Sequence, residues 1–179
     1  MLRSILDATY RTGEILAAFL FFLIFAMILT QIGLSLGDRL LAMADQPPLG
    51  LSVPAYAEFA AYLMSAGSFL GLAGALRAGV HVRVTLLLHS VAPGVRRLME
   101  VAGGIAATVA AVYFCWRLYV MVHESWLYSD TSYGLIAIPI WIPQAPMVVG
   151  SAVLAIAFAD YTVSAILNRM PDESGTFPE

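Results

Sequence analysis

Lysine is missing from the 179-residue sequence, so all nine basic side chains are arginines. Charge of either sign is scarce: Asp, Glu, Lys and Arg make up 12% of the chain, where soluble domains carry about 25%. The single cysteine, Cys115, has no second thiol to pair with. That excludes an internal disulfide framework and every CxxC redox or zinc pattern. A formal net charge of −3 excludes the positive surplus by which nucleic-acid binders are known. HExxH, GxSxG and phosphate-cradling glycine loops are likewise lacking. The three histidines do not replace them, because His81 and His89 share one connection while His123 falls near the opposite surface. No enzyme activity, catalytic residue, metal ligand or cofactor is expected.

What is present is apolar. Hydrophobic residues make up 60% of the chain and the mean hydropathy is +0.83. Ile15 to Gly37 carry no charge, roughly 34 Å of helix, enough to cross a hydrocarbon core of about 30 Å. The run is too long for a signal-peptide core of about 7–15 residues and is read as a retained first helix. Phe59 to Leu76, extended back to Tyr56 behind Pro54, make a second span. Val101 to Trp116 make a third if Arg117 snorkels outward and the helix runs on. The fourth begins near Pro143 or Pro146, because proline is tolerated in a first turn or at a kink. These considerations predict an all-α integral membrane protein, a single domain over 1–179 with spans at about 14–37, 56–76, 98–122 and 143–166.

Orientation follows from the arginines. Arg3, Arg11, Arg77, Arg83, Arg96, Arg97 and Arg169 fall in the two termini and the central connection, which share one side if there are four spans. Arg39 and Arg117 are all that the other side holds. Positive charge is retained in the cytoplasm, so both termini and the central connection are predicted there. Trp126, Tyr128, Tyr133 and Trp141 mark the opposite interface, where amphipathic rings collect. The first outer connection, "DRLLAMADQPPLGLSVP", is too short for a domain, and the polar tail over 170–179 is expected to be disordered.

Within the central connection, Val84, Leu87, Leu88 and Val91 fall at helical spacing. They predict a short cytoplasmic interfacial helix between the second and third spans, ended by Pro93-Gly94. Small residues recur every fourth position in two spans: Gly67, Gly71 and Ala75 in the second, Gly103 and Ala107 in the third. That interval lets helix backbones approach closely in lipid, so these are candidate packing faces. Arg117 and Glu124 are a possible buried charge pair. A self-sufficient carrier would show buried polar residues or interrupted helices at mid-membrane, and the first span is almost purely aliphatic and aromatic. One alternative stays open: a small proton-coupled exporter working as a homodimer, with Glu14 as the coupling acid.

Two stretches carry a family resemblance. One is "LRAGVHVRV" after the second span, an arginine and a glycine followed by His-x-Arg-Val. The other is "TSYGLIAIPIWIPQAPMVVGS", a serine followed by Ile-Pro-x-Trp-x-x-Gln and, later, a glycine. In this order and flanking these spans, they resemble the small membrane subunit of tripartite ATP-independent periplasmic (TRAP) transporters, the DctQ-like family, over nearly the whole chain. Thr85 departs from the pattern, since many relatives carry an aspartate there.

The resemblance implies an accessory subunit of a sodium-coupled importer in the bacterial inner membrane. The cargo would be an organic acid such as a dicarboxylate, keto acid or sialic acid, delivered by a periplasmic binding protein. The large membrane subunit, as partner in a heterodimer, would hold the substrate and sodium sites. Arg77, His81 and Arg83 become candidates for gripping lipid phosphates or the large subunit. Ser132, Tyr133, Trp141 and Gln144 become candidates for contact with the large subunit or the binding protein.

Overall fold

A computed structural model describes residues 2–77 and 93–167. Four helices account for most of them: α1 (Leu2–Met43), α2 (Tyr56–Arg77), α3 (Pro93–Leu127) and α4 (Trp141–Ile166). Each is long and apolar enough to cross a membrane, so the chain is an all-helical, multi-pass membrane protein. The predicted interfacial helix and the polar tail lie outside the described residues.

The helix ends differ from the predicted spans, for identifiable reasons. Helix α1 has 42 residues, roughly 63 Å, because nothing between Leu2 and Met43 stops it. It takes in the first residues of what the sequence suggested was a loop. Its end is a Schellman motif: Asp45 adopts φ 52°, its N–H reaches Ala42 O at 3.3 Å, and Gln46 N–H reaches Leu41 O at 2.9 Å. These bonds satisfy carbonyls that the helix leaves orphaned, and Pro47 then prevents resumption. Helix α3 ends the same way, with Ser129 at φ 54° and the Asp130 N–H on Ser125 O at 3.0 Å. Helix α4 starts at Trp141, ahead of both prolines. Pro143 falls in its first turn, where no N–H is needed, and Pro146 lies inside the helix.

The helices form an open row in the order α1, α2, α4, α3. Helix α2 packs on α1 and α4, and α4 on α2 and α3, while α1 touches α4 only slightly. Stacked rings of Phe69 and Phe114, 6.0 Å apart, link α2 to α3. Among the described residues α1 and α3 are the two edges.

Each junction in the row is made by a glycine. A Cβ on Gly13 of α1 would lie 2.8 Å from the Leu70 carbonyl oxygen of α2, and one on Gly104 of α3 would lie 2.7 Å from Thr162 Oγ1 of α4. One on Gly150 of α4 would run into the Phe69 backbone of α2. Most of the buried residues are correspondingly small, Tyr10 and Leu118 being the large exceptions. Ala73, Ala155, Ala157 and Ala165 are buried, and the largest side chain under 2% exposure is Ser151. Much of the apolar bulk of α1 is exposed, including Phe19, Phe22, Phe25, Leu16, Leu29, Leu36 and Leu40. A membrane helix gains nothing by hiding apolar bulk from lipid, so association rests on close backbone approach.

Candidate partner-binding surfaces

The most organised polar cluster sits at the N-terminal end of α2, where the connection between α3 and α4 folds back onto it. That connection closes on itself. Thr131 bridges Pro139 in antiparallel fashion, Ser132 N–H donates to Ile138 O at 2.8 Å, and Ile140 N–H donates to Asp130 O at 3.0 Å. Ser132 is buried, and its hydroxyl lies 3.1 Å from the Ile136 carbonyl. It is shared with the carboxylate of Glu58, which also accepts a 2.6 Å hydrogen bond from the Tyr62 hydroxyl one helical turn along α2. Gly134 presses so closely on the Glu58 carboxylate that a Cβ there would collide with it. The loop is therefore latched to α2.

The latch leaves the loop tip projecting. Tyr133 is 103% and Leu135 88% exposed. Trp141 and Gln144, at the start of α4, are half-buried. The Gln144 Oε1 atom is shielded and has no hydrogen-bond partner among the described residues. Of the four outer candidates, then, Ser132 acts inside the loop, Tyr133 faces outward, and Trp141 and Gln144 lie between. Glu58 and Tyr62 were not singled out from the sequence, although their four-residue spacing on one helix face was the available signal.

The connection between α1 and α2 is also tied down. Asp38 of α1 accepts hydrogen bonds from the Leu49 and Gly50 N–H groups at 2.8 and 3.2 Å. Gln31 Oε1 accepts from Val53 N–H at 2.8 Å. The segment thus returns along α1 instead of looping free.

At the other end of α2, Arg77 is its last residue, and His81 and Arg83 lie outside the described residues. Arg97 donates to the Ile166 carbonyl at 2.8 Å, so the start of α3 caps the end of α4 with a cation where the helix dipole favours one. Glu14 lies at the α1–α2 junction against Gly74. Gly67 faces the Phe21 ring and Gly71 the Ala17 methyl group, with Ala75 half-buried beyond them. Gly103 is exposed, and a Cβ on it would meet nothing within 4 Å. Ala107 is half-buried, and α3 meets α4 through Gly104 and a 3.1 Å contact between the Thr108 and Thr162 hydroxyls.

Arg117 and Glu124 are both exposed, and no ion pair joins them. Beside them, Trp116, Tyr119, His123 and Trp126 form a ladder of rings up α3, with successive centroids 6.0, 6.1 and 6.3 Å apart. A shallow apolar groove runs below it, lined by Thr108, Val109, Val112, Tyr113 and Trp116. Among the described residues no three His, Cys, Asp or Glu side chains are grouped to hold a metal ion.

The arrangement is one of faces, edges and a latched loop, suited to contact with other proteins and lipid. No curated protein matches the chain. A family match does exist over residues 49–168, from within the loop before α2 to just past the end of α4, and it is to "Tripartite ATP-independent periplasmic transporters, DctQ component". It takes in both motif stretches, the Glu58 latch and all three helices that follow. Four membrane-crossing helices and a match over about two thirds of the chain place this protein in the DctQ component family of tripartite ATP-independent periplasmic transporters, a family of transport components and not of enzymes.

Proposed function

We propose that this chain is the accessory membrane subunit that braces the large subunit of a sodium-coupled importer and helps to dock its periplasmic binding protein. The observation that carries the reading is the open row of helices, in which α1 and α3 each have one principal helix neighbour among the described residues, together with the family match. Large apolar side chains stand exposed on both edge helices, Phe22, Phe25 and Ile32 on α1 and Val109, Tyr113 and Trp116 on α3, which is the form expected of a part fitted against something larger. The latched loop adds a rigid outer platform on which Tyr133 and Leu135 stand clear.

In this reading the cargo is an organic acid of the dicarboxylate, keto-acid or sialic-acid kind. It crosses through sites in the large subunit, as do the coupling sodium ions. The chain lies in the bacterial inner membrane with both termini cytoplasmic, as the arginine distribution favours. Arg77, His81 and Arg83 would then face anionic lipid or the large subunit from the cytoplasmic side.

Reconstitution tests the proposal. Vesicles holding this chain alone should take up no organic acid under a sodium gradient. Vesicles holding it with the large subunit and the loaded binding protein should do so. Uptake by the chain alone would refute the reading, and failure of the large subunit to co-purify would remove its basis.

A further inference from the structure

We infer that the free edge of α1 is the seam on which one transmembrane helix of the large membrane subunit lies, with an acidic or carbonyl acceptor of that helix opposite Arg39. The inference rests on the reading above that such a subunit is the partner. Its starting point is a repeat. Phe22, Leu29, Leu36 and Met43 recur at intervals of seven, and they are 61, 56, 54 and 83% exposed. Phe25 and Ile32 fall between them at 60 and 57%, and Arg39, also exposed, takes the next place in that series. A seven-residue repeat keeps one line of side chains facing a neighbouring helix at a shallow crossing angle.

Lipid alone does not account for this edge. A helix of 42 residues is roughly twice as long as a hydrocarbon core of about 30 Å. The charge-free stretch ends at Gly37, yet the apolar seam continues past Asp38 through Leu40 (58%) to Met43. The connection that Asp38 pins beside it adds Leu49 and Leu51, 66 and 58% exposed. An apolar patch beyond the hydrocarbon marks a protein contact. Interfacial aromatic rings, which anchor a helix end among headgroups, are missing from Ala26 to Ala55, whereas α3 carries its ladder of four rings at that level.

A second copy of the chain fits the seam poorly. Two copies inserted the same way meet in parallel, so each seam residue faces its own counterpart. Arg39 would then oppose Arg39, and like charges brought together cost several kcal/mol. A different helix offering an acceptor removes that conflict.

The test uses the complete transporter in membranes. A photoreactive benzophenone side chain is placed at Phe22, Ile32, Leu36 or Met43, and for comparison at Val109 or Val112 on α3. Irradiation should join the chain to the large subunit from the α1 positions and not from α3. Arg39→Glu should lower recovery of the large subunit with this chain by about tenfold, the loss expected of one charge-assisted contact. Arg39→Lys should restore most of it. Adducts from α3 alone, adducts between two copies, or no protein adducts from α1 while the large subunit still co-purifies would overturn the seam. Undiminished recovery with Arg39→Glu would overturn the acceptor. If the unmodified chain brings down no large subunit, the accessory reading itself falls, and the seam with it.

Discussion

Glu58 is the residue on which the latched loop turns. Its carboxylate joins Tyr62 of its own helix to Ser132 of a loop more than seventy positions away, and Gly134 admits it at close quarters. Glu58→Gln keeps the volume but halves the accepting capacity, so the loop should loosen while the helices stay folded. Limited proteolysis at 131–138 should speed up, with circular dichroism unchanged. Gly134→Val should do the same more severely, because the branched side chain has to displace the carboxylate. Tyr133→Ala should leave proteolysis alone and act on docking. Anchoring aromatics are worth about 2 kcal/mol or more at interfaces, so the half-saturating concentration of loaded binding protein should rise by roughly thirtyfold. Of these contacts only the Glu58–Tyr62 spacing of four is visible in one dimension; the meeting of Glu58 with Ser132 and Gly134 is not. Tyr133 could be singled out from the order of residues because an exposed ring in a turn is itself a signal. The role of Glu58 as a latch could not, because its loop partners become neighbours only when α3 and α4 return past α2.

At the scale of the element, every helix-to-helix junction depends on the lack of a Cβ at one position. Gly150→Ala should drive α4 away from the Phe69 backbone and lower the thermal stability of the detergent-solubilised protein, by about 1–3 kcal/mol as overpacking usually does. Gly103→Ala should change it by no more than a few tenths of a kcal/mol and with either sign, since Ala is the better helix former and the added methyl group meets nothing. Melting curves of the two variants side by side make the comparison. Periodicity in an alanine-rich helix could not have chosen between Gly103 and Gly104, because neighbours differ by only about 100° around the axis and small residues occur on both faces. Helix existence was legible from hydropathy alone. Helix ends were not, because Asp45 and Ser129 adopt left-handed φ values that sequence rules expect of glycine or asparagine.

For the whole molecule, the testable consequence is its orientation. Cysteines introduced singly at Arg83 and at Tyr133, with Cys115 replaced by alanine, should react from opposite sides with a reagent that cannot cross the membrane: Arg83 only after permeabilisation, Tyr133 in intact cells stripped of their outer membrane. Labelling of both from one side would break the four-span arrangement. The charge bias that predicts this is a property of the chain as a whole and does not depend on where each helix is drawn to begin or end. The order of helices in the row was not legible. It depends on which glycine meets which backbone, and hydropathy does not record that.

The placement of the smallest side chains at the centre and the largest at the periphery has a last consequence for how the protein comes apart. A soluble domain falls apart by wetting a greasy interior, and its helices melt with it. Here there is no greasy interior to wet, and each rod keeps its own backbone bonds in any solvent of low polarity. Harsh detergents should therefore dismantle the protein by sliding the rods apart. The far-ultraviolet signal of helix would persist while the near-ultraviolet signal from the Phe69–Phe114 and tryptophan neighbourhoods faded, leaving four intact cylinders that no longer know their neighbours.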